Sequence, residues 1–144
     1  MLDRVWVIDA SVLAAAMFEE DDTQVARTFL TSAGDLIAPC LLATEMASIA
    51  AKKVWKGLTT VEIARQAVAD TPRLIALHPT STTLMQDALD LACAHRISAY
   101  DATYVALAVT QDVRVVTLDA KLLARLNEAG LSNKAVSLGA ASRL

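Results

Sequence analysis

Short runs of β-branched residues alternate along the chain with longer stretches in which apolar positions recur at helical spacing. The run "VWVI" (Val5–Ile8) predicts a first strand, and the helical pattern after it extends to Met17. Asp21 and Asp22 are residues that commonly begin helices, and Gly34 ends the second helical stretch. The chain therefore begins as a strand followed by two helices.

The same alternation continues to the last residues. Because one or two helices separate successive strands, the connections are crossovers, which build a mainly parallel sheet with helices on both faces. We therefore predict an α/β fold, and the length of 144 residues is typical of a single domain spanning 1–144. The further predicted strands are 36–39, 73–77, 114–118 and 134–138, and the predicted helices lie within 40–57, 60–70, 80–95, 98–109 and 119–130.

Composition narrows the class of protein. With 55% hydrophobic residues and few glycines or prolines, the chain is expected to fold compactly. Asp9 interrupts the first apolar run well before the roughly 20 residues of a membrane span, so we expect no membrane segment or signal peptide and a cytoplasmic protein. The net charge of −3 disfavours bulk coating of nucleic acid but allows local phosphate binding. We expect Cys40 and Cys93 to be buried free thiols.

Carboxylates follow the predicted strands at positions that topology brings together. Asp9 ends the first strand, and Asp119 comes one residue after "RVVTL". Asp101 lies in the first turn of a later helix, and Glu45 interrupts the apolar stretch between Leu41 and Ile49. Because ligands of such sheets bind at the carboxyl ends of the strands, we expect these four acids to converge on one edge.

Each acid also has a purely structural interpretation. Taken singly, these roles explain the residues well, because helix caps and solvated helix positions are common. Taken together they explain less, since clustered carboxylates repel one another unless protons or cations neutralise them. The structural roles would be helix caps at Asp9 or Ser11, another cap at Asp119, a capping box of Ser98 with Asp101, and a solvated position for Glu45.

Carboxylate oxygens without accompanying thiolate or imidazole ligands suit Mg²⁺ or Mn²⁺ better than Zn²⁺. His78 and His95 occupy turn and helix-end positions. An acidic site that holds such cations is suited to phosphoryl chemistry, because the cation activates water and neutralises phosphate oxygens. The predicted substrate therefore carries phosphodiesters.

The motifs "VWVIDAS", "TEMASIA", "YDATYVALA" and "VVTLDAKL" together resemble those of the PIN-domain nucleases, and within them the VapC-type toxins. The resemblance implies a PIN-like three-layer α/β/α sandwich. It also implies that the acidic residues bind Mg²⁺ or Mn²⁺ and orient the hydrolytic water, with small polar residues supporting them. The implied acids are Asp9, Glu45, Asp101 and Asp119, and the implied supporting residues are Ser11 and Thr117.

The resemblance further implies cleavage of RNA such as tRNA or ribosomal RNA, inhibition by a VapB-type antitoxin, and a homodimer that assembles further with that antitoxin. The alanine-rich face of "TVEIARQAVAD" is a candidate dimer contact. Lys52 lies two helical turns beyond Glu45 on the same face, which makes it a candidate RNA contact. A solvated basic helix end is the alternative interpretation of Lys52.

Two other functional classes stay open at this point. A receiver-like signalling domain is also a small α/β fold with an acidic Mg²⁺ site, although by resemblance it has adjacent acids after the first strand. A non-catalytic protein-binding module would use the acids only as caps. An acyl-transfer hydrolase is excluded, because the chain has no Gly-x-Ser-x-Gly motif.

Overall fold

A computed structural model describes residues 4–144 and contains one five-stranded sheet. All four pairs of neighbouring strands are parallel, and the strand order is β3-β2-β1-β4-β5. The strands are β1 (Val5–Ile8), β2 (Asp35–Pro39), β3 (Ala76–His78), β4 (Arg114–Thr117) and β5 (Ala135–Ser137).

Helices fill every connection between these strands. The connections from β1 to β2 and from β2 to β3 lead toward one edge of the sheet. The connections from β3 to β4 and from β4 to β5 lead in the opposite direction, toward the other edge. Because parallel crossovers are right-handed, the two groups of helices lie on opposite faces, which confirms the predicted α/β/α architecture. The helices are α1 (Ala10–Met17), α2 (Thr23–Ser32), α3 (Leu41–Trp55), α4 (Val61–Leu74), α5 (Thr82–His95), α6 (Ala99–Gln111), α7 (Ala120–Glu128) and α8 (Leu138–Ala141), with a 3-10 turn at Ser132–Lys134.

The core lies against both faces of the central strands. Trp6, Val7 and Ile8 are all buried, although successive side chains of a strand point to opposite faces. Helix α6 crosses the middle of the sheet and is buried continuously from 102 to 108. The ends of β1 and β4, and the first turns of α1 and α6, are therefore held by a packed core.

The strands β3 and β5 differ most from the sequence prediction, and β2 and β4 differ from it by one residue at one end. Residues 73 and 74 belong to α4, because its backbone ladder continues until Ile75 N donates to the Thr71 carbonyl. Pro72 lies within this last turn, where it has no N–H to donate to the carbonyl of residue 68, and the helix ends two residues later, so β3 begins only at Ala76. The last strand is also shorter than predicted, because Lys134 is in the 3-10 turn and Leu138 begins α8.

The predicted burial of the thiols is wrong, because Cys40 and Cys93 are both exposed. Cys40 precedes α3 at the rim of the sheet, and Cys93 lies on α5 one turn after the exposed Leu89. The alanine face proposed as a dimer contact is instead packed within the chain, since Ala64 and Ala67 are buried where α4 meets α3. Within residues 4–144, no helix has the length and apolar character needed to cross a membrane.

Candidate active site

The four predicted acids surround one end of the sheet, at the point where its strand order reverses. From β1 the chain proceeds toward β3 on one side, whereas β4 and β5 lie on the other. Asp9 follows β1 directly, and Asp119 lies two residues after β4. Adjacent parallel strands whose connections leave in opposite directions create a crevice at their carboxyl ends, which is the usual ligand position in such folds.

Asp9 is nearly buried, with 8% of its surface exposed, and one of its oxygens is fixed by hydroxyl groups. Ser11 Oγ donates to Asp9 Oδ2 at 2.5 Å, and Thr117 Oγ1 donates to the same oxygen at 2.9 Å. The Ser11 backbone N–H adds a longer bond of 3.4 Å, which makes Asp9 the cap of α1. Within residues 4–144 no hydrogen bond reaches Oδ1, so that oxygen is available to a ligand.

The two hydroxyl groups also position the chain after β4. Thr117 Oγ1 accepts from the Asp119 N–H at 3.0 Å, and Ser11 Oγ accepts from the Leu118 N–H at 3.0 Å. Asp119 Oδ1 then caps α7 by accepting from Lys121 N and Leu122 N at 3.0 and 3.1 Å. The structure thus brings Ser11 and Thr117 to the predicted supporting positions, and the capping interpretation holds for Asp9 and Asp119 as well.

Glu45 lies on α3, and it is not a solvated helix residue. Its Oε1 is buried and has no hydrogen-bond partner among the described residues. Burial raises the pKa of this carboxyl, the neighbouring Tyr104 hydroxyl opposes the rise, and the negative charges of Asp9 and Asp101 add to it. The charged form of Glu45 is therefore disfavoured here unless a proton or a cation neutralises it.

Asp101, in the first turn of α6, has a similar environment. Burial raises its pKa, the charges of Asp9 and Asp119 raise it further, and Ser98 and Arg125 lower it. Ser98 Oγ caps the helix by accepting from the Asp101 N–H at 3.0 Å, but the Asp101 carboxylate makes no reciprocal bond of a capping box. The Asp101 carboxylate is therefore not occupied in capping α6 and can bind a ligand.

Two residues near these acids were missed by the sequence analysis. Tyr104 lies three residues after Asp101 on α6, and its hydroxyl is next to Glu45. Arg125, on α7, is the cation that lowers the pKa of Asp101, and it donates to the Arg96 carbonyl at 2.6 Å. The spacing of Tyr104 from Asp101 was a usable signal, whereas nothing local distinguishes Arg125 from other surface arginines.

The candidate RNA contact Lys52 is exposed near the end of α3. Its neighbour Lys53 pairs instead with Glu20 at 3.2 Å and lies 5.5 Å from the centre of the Phe18 ring. Lys52 makes no ion pair within the described residues. The structure is consistent with both interpretations of Lys52.

The donor set fits a hard divalent cation that keeps part of its water. Four carboxylates influence one another here, two of them with raised pKa, and the site contains a buried oxygen without a partner. Across residues 4–144, however, no three Asp, Glu, His or Cys side chains are already close enough to enclose an ion. Mg²⁺ is commonly bound through one or two carboxylates and several waters, so this open arrangement suits it.

Comparison with known proteins identifies the family. The PIN domain model matches residues 6–129. The chain belongs to the PIN-domain family. A curated relative, Ribonuclease VapC3 of Pyrobaculum aerophilum, is 31% identical over 119 residues, which cover 81% of this chain and 90% of the relative. The predicted family and the predicted VapC-type relationship are confirmed.

Solved structures show the same fold. VapC20 of Mycobacterium tuberculosis, described as a Sarcin-Ricin loop cleaving toxin, superposes with a TM-score of 0.71 at 16% identity and covers 83% of this chain and 93% of its own. A toxin-antitoxin complex from Klebsiella pneumoniae gives a TM-score of 0.65 at 16% identity, with 92% and 96% covered. At these identities the likeness establishes the fold alone.

These findings decide between the functional classes. The PIN domain and its VapC ribonuclease relative make this chain a nuclease of a toxin-antitoxin type. The receiver-like alternative is wrong, because receiver domains have the strand order 2-1-3-4-5 and this sheet has 3-2-1-4-5. The alternative of a non-catalytic module is contradicted by the family.

Proposed function

We propose that this protein is a Mg²⁺- or Mn²⁺-dependent endoribonuclease, formed by a single PIN domain over 1–144, that acts in the cytoplasm as the toxin of a VapBC-type pair. The observation that carries the proposal is the convergence of Asp9, Glu45, Asp101 and Asp119 at the switch point of the sheet. Their mutual repulsion and the unpartnered Glu45 oxygen favour a bound divalent cation. Such a cation supplies water activation and neutralisation of phosphate charge.

The residues have distinct roles in this proposal. Asp9 offers Oδ1, because Ser11 and Thr117 hold Oδ2 and thereby fix the carboxylate in one orientation. Glu45 and Asp101 supply the half-buried oxygens, and Asp119 lies at the rim as the cap of α7. Water activated among these groups would add its oxygen to the phosphorus of an RNA phosphodiester. The bond from phosphorus to one ribose oxygen breaks, and that oxygen takes up a proton as it leaves.

Positive charge beside the acids supports an RNA substrate. The Arg125 guanidinium is near Asp101, and its bond to the Arg96 carbonyl fixes it at the rim of the site. Arginine is well suited to phosphate because its planar donors contact two oxygens. We propose Arg125 as a phosphate contact close to the acids and Lys52 as a second contact further along α3. A relative is named a ribonuclease, and a structural neighbour is described as a Sarcin-Ricin loop cleaving toxin, which supports an RNA target. We propose tRNA or ribosomal RNA as that target.

An open apolar groove of about 830 Å³ between α3 and α4 supports an antitoxin partner. Val54 and Trp55 line one side and Val61 and Val68 the other, and Trp55 leaves 78% of its surface exposed. A structural neighbour is a toxin-antitoxin complex. We propose that an apolar segment of a VapB-type antitoxin binds this groove.

We propose that the predicted homodimer forms through the exposed face of α5 and not through the groove between α3 and α4. Met85 and Leu89 are exposed one turn apart on α5, and the thiol of Cys93 follows after one further turn. Exposed apolar side chains in such a row favour association with a second copy. The dimer can then assemble further through its antitoxins, because the groove is on a different pair of helices.

The test is Asp101→Asn, with Asp90→Asn as its matched control on the exposed surface of α5. Asp101→Asn should lower Mn²⁺-dependent RNA cleavage by about 100-fold or more, since even residues that only support metal ligands cost 10- to 100-fold. Its metal-free thermal stability should hold or rise, because repulsion between carboxylates is relieved. Full activity of Asp101→Asn contradicts the proposal, and unfolding would show a structural role instead.

A further inference from the structure

Tyr104 is the largest fully buried side chain of the protein, and its hydroxyl is unexplained by the fold. Only 1% of its surface is exposed. Within the described residues the hydroxyl oxygen has no hydrogen-bond partner. A phenylalanine would fill the same space without burying a polar group, so the hydroxyl needs a reason beyond packing.

The hydroxyl is directed to the acidic cluster. Tyr104 lies three residues after Asp101, which places both side chains on one face of α6. The polar group that acts most strongly on Tyr104 is Glu45, which approaches from α3. Asp9 and Asp101 act on it more weakly through their charges.

Glu45 provides a hydrogen-bond acceptor that matches the Tyr104 hydroxyl. Its buried Oε1 is, with the Tyr104 hydroxyl, one of two buried side-chain atoms without a partner in residues 4–144. A phenol donates one hydrogen bond and a carboxylate oxygen only accepts, so the two groups match chemically. No lysine, arginine or histidine forms an ion pair with Glu45 in this part of the chain. Hydrogen bonds in active sites are often poorly aligned without ligand and tighten in the complex.

We propose that Tyr104 is a positioning residue for Glu45, whose hydroxyl donates to the buried Oε1 and so directs Oε2 toward the cation held by the acidic cluster. This inference rests on the proposed metal-dependent function. It assigns to α6 two contributions to the site, the Asp101 carboxylate and the hydroxyl that orients the acid opposite. Tyr104 itself does not contact the cation or the RNA.

The experiment measures Mn²⁺ affinity by calorimetry, with the full chain and without RNA. Tyr104→Phe should bind Mn²⁺ about 10-fold more weakly than the wild type, as is typical for the loss of a residue that orients a metal ligand. Tyr100→Phe is the matched control, because Tyr100 is on the same helix and 64% exposed. Its affinity should not change.

A double-mutant cycle shows whether Tyr104 acts through Glu45. In a Glu45→Gln background, Tyr104→Phe should cause no further loss of Mn²⁺ affinity. The metal-free melting temperature of Tyr104→Phe should equal or exceed that of the wild type, which separates positioning from a structural defect.

Unchanged Mn²⁺ affinity of Tyr104→Phe overturns the positioning role, and so does an equal loss in both backgrounds. In either case wild-type binding of Mn²⁺ leaves the proposed function standing. A wild-type protein that binds no Mn²⁺ overturns both proposals.

Discussion

Thr117 Oγ1 donates a hydrogen bond of 2.9 Å to Asp9 Oδ2, although the two residues are 108 positions apart in sequence. The bond joins the ends of β1 and β4, which are neighbours in the sheet. Thr117 Oγ1 also accepts a hydrogen bond from the Asp119 N–H, so this one buried hydroxyl supports two acids of the site. A carboxylate held in this way is oriented before any ligand arrives, which reduces the cost of binding one.

Thr117→Val should therefore weaken both stability and cleavage. The replacement keeps the shape but leaves the Asp119 N–H without its partner and removes one of the two hydroxyl bonds to Asp9 Oδ2, which should lower the free energy of unfolding by about 1–3 kcal/mol. Chemical denaturation measures this change, and RNA cleavage with Mn²⁺ measures the effect on the site.

Thr71→Val is the matched control, since Thr71 is fully buried but, among the described residues, its hydroxyl bonds only to the Ala67 carbonyl of its own helix. It should leave cleavage unchanged. An equal loss of activity in both variants would show that the Thr117 hydroxyl has no special role at the site.

The pH dependence of metal-free stability should report the crowded acids. The pKa of Glu45 is raised above its ordinary value of 4.5, so the folded protein holds that proton more tightly than the unfolded chain does. The associated stability is fully present below about pH 4.5 and is lost as the pH rises through the raised pKa. In Glu45→Gln this loss should disappear.

The measurement is the free energy of unfolding of the wild type and of Glu45→Gln in chelator from pH 4 to 8. The wild type should lose stability relative to the variant as the pH rises. Saturating Mn²⁺ should stabilise the wild type more than the variant, because the cation binds only the folded site. If the free energies of unfolding of the two proteins differed by the same amount at every pH, the raised pKa of Glu45 would be contradicted.

Much of this site could be predicted from the sequence because its acids follow recognisable elements. Asp9 and Asp119 come directly after β-rich runs, and the parallel topology then places them at one edge. Their additional capping roles could not be separated from ligand roles, since one carboxylate can cap a helix and leave an oxygen free. Only burial distinguishes Glu45 from a solvated helix residue.

Other features depend on tertiary packing that the sequence does not display. Tyr104 has the pattern of a core aromatic, and its hydroxyl gains meaning only from the approach of α3. Arg125 is brought to Asp101 by the packing of α7, which no local motif encodes. Cys40 and Cys93 have apolar neighbours in sequence, which led to the prediction that they are buried. Both thiols are exposed, because the side chains of neighbouring residues in sequence point in different directions.

Arg125→Ala should weaken RNA binding in a salt-dependent manner. If Arg125 contacts one phosphate, its loss should reduce the slope of log affinity against log salt by about 0.7, the value for one contact to single-stranded nucleic acid. Affinity is measured with chelator present, so that the RNA stays intact. Arg73→Ala is the control, because Arg73 is an exposed arginine paired with Asp70 on α4. Identical slopes for the wild type and Arg125→Ala would rule out the phosphate contact.

Trp55→Ala should separate antitoxin binding from nuclease activity. The indole lines the groove between α3 and α4 and is 78% exposed, so its removal costs little stability but takes away the largest apolar contact offered to a partner. Expression of the wild-type chain should arrest bacterial growth, and co-expression of its antitoxin should restore growth.

Trp55→Ala should still arrest growth and cleave RNA, but the antitoxin should bind it at least about 10-fold more weakly, since a hot-spot residue contributes 2 kcal/mol or more. Leu74→Ala, which removes a 52% exposed side chain elsewhere on α4, should be rescued like the wild type. Full rescue of Trp55→Ala at matched expression would place the antitoxin on another surface.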